Sequence, residues 1–86
     1  MYQWSDDVGD LNKLSYGYLF VDPERERHFI QYTYGDIHLV TVNEIFDVHT
    51  IGGWERVVMK RTLDGEWYLL GTEVMKLGPG PYYVRM

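Results

Sequence analysis

The chain has 86 residues, a formal charge of −5 at pH 7 and no cysteine. Its length predicts a single domain over residues 1–86, and without cysteine neither a disulfide nor a thiolate-bound metal can stabilise that domain. The acidic balance argues against nonspecific nucleic-acid binding, which needs clustered lysines and arginines to displace the counterions of phosphates.

The first fifteen residues show weak periodicity and carry Asp6, Asp7 and Asp10. We therefore predict an irregular arm or loop over residues 1–15. The segment has neither the basic start nor the apolar stretch of a signal peptide, and no run in the chain approaches the roughly 20 apolar residues that span a bilayer. These features predict a cytoplasmic protein without a membrane partner.

Short runs of β-branched and aromatic residues begin at Tyr16 and are separated by turn residues. Asp22-Pro23 ends the first run, because proline cannot donate to a β-ladder, and Gly35-Asp36 supplies a later turn. The pattern predicts strands over residues 16–21, 28–34, 37–42 and 45–51. The last two could also be one long bent strand.

The second half of the chain gives the clearest hairpin signals, at Gly52-Gly53 and at Asp64-Gly65. These turns predict strands over residues 54–62 and 66–70. Residues 72–77 fit either a short strand or a helical turn. The Gly-Pro repeat at 78–81 ends that run, and a short closing strand is predicted over residues 82–85.

Five to seven short strands with closely spaced turns predict an all-β fold. We expect a small SH3-like antiparallel barrel with an irregular N-terminal arm, because barrel closure removes the exposed edges of a small sheet. A core this thin, with an aromatic share of 16%, is also compatible with a homodimer.

Two histidines and a carboxylate are the candidates for metal binding or acid–base chemistry: His38, Asp47 and His49. Asp47 and His49 share one face of a predicted strand, since alternate residues point the same way. Their spacing is unspecific and no nucleophile accompanies them, so a polar outer sheet face is the favoured interpretation. No nucleotide loop, zinc-ligand helix or Ser-His-Asp order is present, and we predict neither a cofactor, a metal nor an enzyme.

Two groups of charged residues are candidate binding surfaces. Trp54, Arg56, Lys60 and Arg61 could stack on bases and follow phosphates, although nearby acidic residues interrupt the patch. The acidic arm residues Asp6, Asp7 and Asp10 could instead imitate a nucleic acid or simply increase solubility.

The tyrosines offer a third candidate surface. They either line a groove for a peptide or pack as core and boundary residues of the barrel. They are Tyr16, Tyr18, Tyr32, Tyr34, Tyr68, Tyr82 and Tyr83.

The sequence from about Leu39 onward resembles a family of short proteins from Gram-positive bacteria and their mobile elements, catalogued as domain of unknown function 5348. The resemblance covers about two-thirds of the chain. It depends on the run IFDV at 45–48, the Gly53-Trp54 turn, the run DGEWYLLG at 64–71 and the closing strand. The matching residues are mostly turn and core residues, so the resemblance implies a fold and a mobile-element setting, and it brings no known activity.

We therefore predict a noncatalytic protein-interaction module of a bacterial mobile element or phage, with an unidentified protein partner. Two alternatives stay open. One is an acidic phage-type inhibitor of a host nuclease or defence complex, and the other is a small nucleic-acid-binding barrel.

Overall fold

The structure, a computed structural model, describes residues 14–22 and 24–86. The described residues form eight strands and no helix, which confirms the predicted all-β class. In this part of the chain, no helix is long and apolar enough to cross a membrane. The strands are β1 (Tyr16–Asp22), β2 (Arg27–Tyr32), β3 (Ile37–Val40), β4 (Ile45–Thr50), β5 (Gly53–Arg61), β6 (Trp67–Leu70), β7 (Val74–Lys76) and β8 (Tyr82–Arg85).

All eight strands belong to one antiparallel sheet in the order β3-β2-β1-β8-β4-β5-β6-β7. The last strand, β8, lies between β1 and β4, where Tyr18 pairs with Tyr83 and Val48 pairs with Val84. Strands β3 and β7 form the two edges, and within the described residues they do not pair with each other. The sheet is thus open, with one strand more than predicted, and the SH3-like barrel is not confirmed.

The sheet coils on itself, so that its two halves enclose the core. His28 of β2 packs edge-on against Trp67 of β6, with 4.6 Å between ring centroids. Five strand spacings separate β2 from β6, which would place them about 24 Å apart in a flat sheet. Strong twist therefore brings the inner faces together. The buried apolar residues between them are Leu19, Ile30, Val40, Phe46, Val48, Val57, Met59, Leu69 and Val84.

The hairpin turns form where the sequence predicts them. Gly53 and Gly65 have φ of 110° and 94°, a left-handed conformation that glycine adopts without steric cost. Residues 72–77 contain a strand rather than a helical turn, and a turn at Thr41–Glu44 separates β3 from β4. β2 ends two residues before the predicted position, because the Tyr32 N–H already donates across the turn to Asp36 O at 2.9 Å.

Candidate functional site

Five rings on β1, β4, β5 and β8 form a continuous patch on the outer face of the sheet. We call this patch the aromatic face, and it consists of Tyr16, Tyr18, His49, Trp54 and Tyr83. Tyr83 lies at its centre, with ring centroids 5.2 Å from Tyr18 and 5.4 Å from Trp54. His49 packs edge-on against Trp54 at 5.1 Å. Tyr18 remains 45% exposed, so the patch presents apolar surface that nothing in the described part of the chain covers.

Strand alternation and register together produce this patch. In β1 the exposed residues Tyr16 and Tyr18 alternate with Gly17 and Leu19, which lie on the buried face of the strand. The register then places Tyr18 opposite Tyr83 and His49 opposite Trp54. Cross-strand aromatic pairs of this kind stabilise a sheet while leaving one ring surface in solvent.

A carboxylate anchors the charged side of the aromatic face. Asp47 is only 5% exposed, and it accepts hydrogen bonds from Arg56 Nε at 3.0 Å and from Arg85 Nε at 2.9 Å. The bond from Arg56, assisted by Arg85, holds the pKa of Asp47 below its usual value despite burial. The Arg85 guanidinium also lies over Trp54, 4.3 Å from the ring centroid, in a cation–π contact. Asp47 therefore fixes the position of Arg85, which in turn contacts Trp54.

We expect Asp47→Asn to lower the free energy of unfolding by about 1–3 kcal/mol at pH 7, because it weakens two charge-assisted hydrogen bonds. The folded-state pKa of Asp47 lies below the unfolded value. Its stabilisation is therefore complete above about pH 4 and is lost as pH falls through the folded-state pKa. Urea unfolding at pH 7 and pH 3 measures both effects, with the exposed Asp36→Asn as control. An Asp47→Asn variant as stable as Asp36→Asn at pH 7 would contradict the anchoring role.

The outer apolar surface continues from the aromatic face to the edge strand β3. Phe20 of β1 stacks on Phe29 of β2 with 5.3 Å between ring centroids. Beside Phe29, the side chains of Ile37 and Leu39 are 60% and 56% exposed. A shallow groove of about 220 Å³ lies here, which we call the edge groove. Its lining residues are Asp22, Arg25, Arg27, Phe29, Ile37 and Leu39.

The predicted basic patch is divided between the two faces of β5. Trp54, Arg56 and Lys60 share the outer face, whereas Arg61 has the opposite parity. Arg61 pairs with Glu26, with 2.9 Å between Nη2 and Oε1, and lies over the Trp67 ring. The acidic arm residues Asp6, Asp7 and Asp10 lie outside the described residues.

The three weak metal candidates have separate partners. His38 Nε2 lies 2.8 Å from Glu44 Oε2, Asp47 is held by the two arginines, and His49 packs in the aromatic face. Burial opposes ionisation of Glu44, but the Thr41 N–H and His38 outweigh it and keep the pKa of Glu44 below its usual value. Within residues 14–22 and 24–86, no three His, Cys, Asp or Glu side chains are grouped to hold a metal ion.

Sequence reasoning did not single out Arg85 as a site residue, nor Tyr83 as the centre of an aromatic cluster. The outward parity of the tyrosines was readable from the alternation in β1. That Tyr83 would contact both Tyr16 and Tyr18 was not readable, because this contact depends on the insertion of β8 between β1 and β4.

The chain is similar to a solved structure. No protein-family model and no curated protein matches the chain, so the resemblance to domain of unknown function 5348 stays a prediction. A crystal structure of a protein from Ruminococcus gnavus, from the Northeast Structural Genomics Consortium, is 32% identical with a TM-score of 0.63. The match covers 83% of this chain and 99% of that one. The description of that protein names no activity, ligand or partner.

Proposed function

The chain belongs to the same family as this Ruminococcus gnavus protein, and we propose that it is a noncatalytic protein-interaction module that binds through its aromatic face. The observation that carries the proposal is the cluster of partly exposed rings around Tyr83, beside the exposed Arg56. Tyrosine, tryptophan and arginine are the residues that dominate binding energy at protein interfaces.

The cluster is also preorganised, which lowers the entropy cost of binding. Tyr83 packs against all four other rings of the aromatic face. Trp54 is further held by the cation–π contact with Arg85, whose guanidinium donates a hydrogen bond to Asp47. Rings that are already ordered lose little side-chain freedom when a partner covers them.

Nucleic-acid binding is the second candidate function, because Trp54 and Arg56 lie beside one another on an exposed ring platform that could stack on bases. Two features make it the weaker one. Asp47 neutralises part of the local positive charge, and the whole chain carries −5. Absence of binding to single-stranded and double-stranded oligonucleotides at low salt would dispose of this candidate.

The setting belongs to the proposal as well. We place the protein in the cytoplasm of a bacterium, as part of a phage or mobile element, with the SH3-like barrel as its expected fold type. The sequence resemblance and the acidic composition support this setting. An acidic inhibitor acting through Asp6, Asp7 and Asp10 is the alternative. Such an inhibitor would lose activity when the three are changed to Asn and keep it when Tyr83 is changed.

Site-specific photo-crosslinking in cells of the source organism tests the proposed function. A photoreactive phenylalanine analogue replaces Tyr83 in one variant and Ile51, which is fully exposed in a turn, in the control. We expect a discrete protein adduct from position 83 and none from position 51. The proposal fails if both positions give the same adducts, or if the adduct at position 83 is removed by nuclease rather than by protease.

A further inference from the structure

We propose that the edge strand β3 binds an extended peptide segment of the partner by strand addition. The segment would place apolar side chains at alternate positions on the edge groove and an acidic side chain near Arg27. This inference rests on the proposed function, because it specifies how a partner protein engages the outer face of the sheet.

The first observation is an edge strand that carries neither lysine nor proline. Natural sheets shield their edges with lysine, proline, a bulge or very short strands. β3 (Ile37–Val40) is short, with four residues, but it contains neither lysine nor proline, and within the described residues only β2 pairs with it. The opposite edge, β7, has three residues and ends in Lys76. Among the described residues, β3 is therefore the longer edge and the one without lysine, which favours it as the site for a further strand.

The second observation is that β3 is held firmly from its inner side. Val40 is buried in the core, and His38 is bonded to Glu44 at 2.8 Å. Glu44 in turn accepts a hydrogen bond from the Thr41 N–H at 2.7 Å, just after the strand. A strand fixed in this way offers an ordered backbone template, so an added segment pays the ordering cost for its own residues alone.

The third observation is the spacing of the exposed apolar residues. Ile37 and Leu39 alternate on the outer face, and Leu39 pairs in register with Phe29. A strand added to β3 would continue this alternation, so every second side chain of the segment would lie on the same surface. Phe29 of the edge groove stacks on Phe20, which lies on the same face of β1 as Tyr18 of the aromatic face, so one partner could cover both surfaces.

The charges around the edge groove define the chemistry of the segment. Arg27 is exposed on the same face as Phe29, at the start of β2, where it pairs across the ladder with Asp22 of β1. Arg25 pairs with Asp22, with 3.3 Å between Nη1 and Oδ2, so the lining carries one net positive charge. A carboxylate on the segment would complement Arg27, whereas a lysine there would be repelled.

A phage-displayed library of random short peptides, selected on the full chain, tests this inference. We expect the selected peptides to alternate apolar residues and to carry Asp or Glu at one end. Amide hydrogen exchange in β3 should slow when such a peptide binds. Leu39→Glu should weaken binding about tenfold or more, which corresponds to loss of one interface hot spot. Val74→Glu on β7, where the native side chain is 65% exposed, is the matched control and should leave affinity unchanged.

A charge test separates recognition from general stickiness. Arg27→Gln should weaken binding of the acidic peptide and leave its amide counterpart, with Asn or Gln in place of the acid, unaffected. Equal weakening of both peptides would overturn the assigned acidic chemistry.

Three outcomes would overturn strand addition by a partner peptide. Selected peptides that leave β3 exchange unchanged would do so, as would a failure to select peptides when position 83 still cross-links a protein. Both outcomes leave the proposed function standing. A concentration-dependent dimer that Leu39→Glu abolishes would identify a second copy of the chain, rather than a partner peptide, as the occupant of β3. If position 83 also gives no protein adduct, the proposed function fails together with this inference.

Discussion

Replacing Gly17 by alanine is expected to lower the free energy of unfolding by about 3 kcal/mol or more. A Cβ at this position would overlap the backbone carbonyl oxygen of Gln31 and lie 2.8 Å from the Tyr32 Cα. These are backbone atoms of the paired strand β2, so they cannot turn aside as a flexible side chain would. Relief requires β1 and β2 to separate, which disturbs the ladder that carries the aromatic face and the edge groove.

Gly52→Ala is the matched control for this prediction. Gly52 lies in a turn, and the nearest heavy atom to an added Cβ is Thr50 Oγ1 at 3.8 Å, an ordinary contact distance. Urea unfolding at pH 7 measures both variants against the native chain. A Gly17→Ala variant that unfolds at the same urea concentration as Gly52→Ala would show that the close approach of β2 is not needed for the fold.

The second large effect is a loss of folding stability at acidic pH. We expect the free energy of unfolding to decrease as pH falls below about 6.5, with a slope that approaches 1.4 kcal/mol per pH unit, because His28 must stay neutral in the fold. His28 is 1% exposed, and its Nδ1 accepts a hydrogen bond from the Asp22 N–H at 3.3 Å. The proton therefore resides on Nε2, which has no partner among the described residues.

Burial lowers the pKa of His28, although the charges of Asp22 and Glu26 oppose the shift. Glu66 and Lys76 line the same cavity as His28, and they contribute one charge of each sign. Because the folded-state pKa lies below the unfolded value, the unfolded chain binds more protons between the two. Stability is thus complete above about pH 6.5 and declines until pH reaches the folded-state pKa.

His28→Gln separates this effect from the other titrating groups, since it leaves His38 and His49 in place. Urea unfolding of both proteins at pH 7.5, 6.5 and 5.5 gives the comparison. We expect the variant to be less stable at pH 7.5 and to show a flatter pH dependence. The same slope in both proteins would mean that His28 does not control acid stability.

Local patterns in the sequence predict most of the strands. Turn chemistry at Gly52-Gly53 and Asp64-Gly65 is local, and it places β4, β5 and β6 to within two residues. The open sheet was not predictable in the same way. Whether β3 meets β7 depends on the accumulated twist of all eight strands, which no short segment encodes.

The candidate site was predictable in parts only. Parity places Trp54 and Arg56 on one face. The contact of Arg85 with Trp54 was not predictable, because Arg85 is held by Asp47, which lies 38 residues away in the chain. The weak Asp47/His49 pair was correctly placed on one strand face. In the structure, the Asp47 carboxylate is bonded to two arginines, and His49 packs against Trp54 and Tyr83. The pair therefore lies at the aromatic face, and its carboxylate is already bonded.

The central claim is that the outer face of the sheet binds another protein through the rings around Tyr83. The most direct measurement is the affinity of the partner identified by cross-linking, compared between the native chain, Tyr18→Glu and Ile51→Glu. Circular dichroism first establishes that all three are folded. We predict that Tyr18→Glu weakens binding about tenfold or more, as expected for an interface hot spot, and that Ile51→Glu binds like the native chain. Equal affinity of all three proteins would contradict the claim.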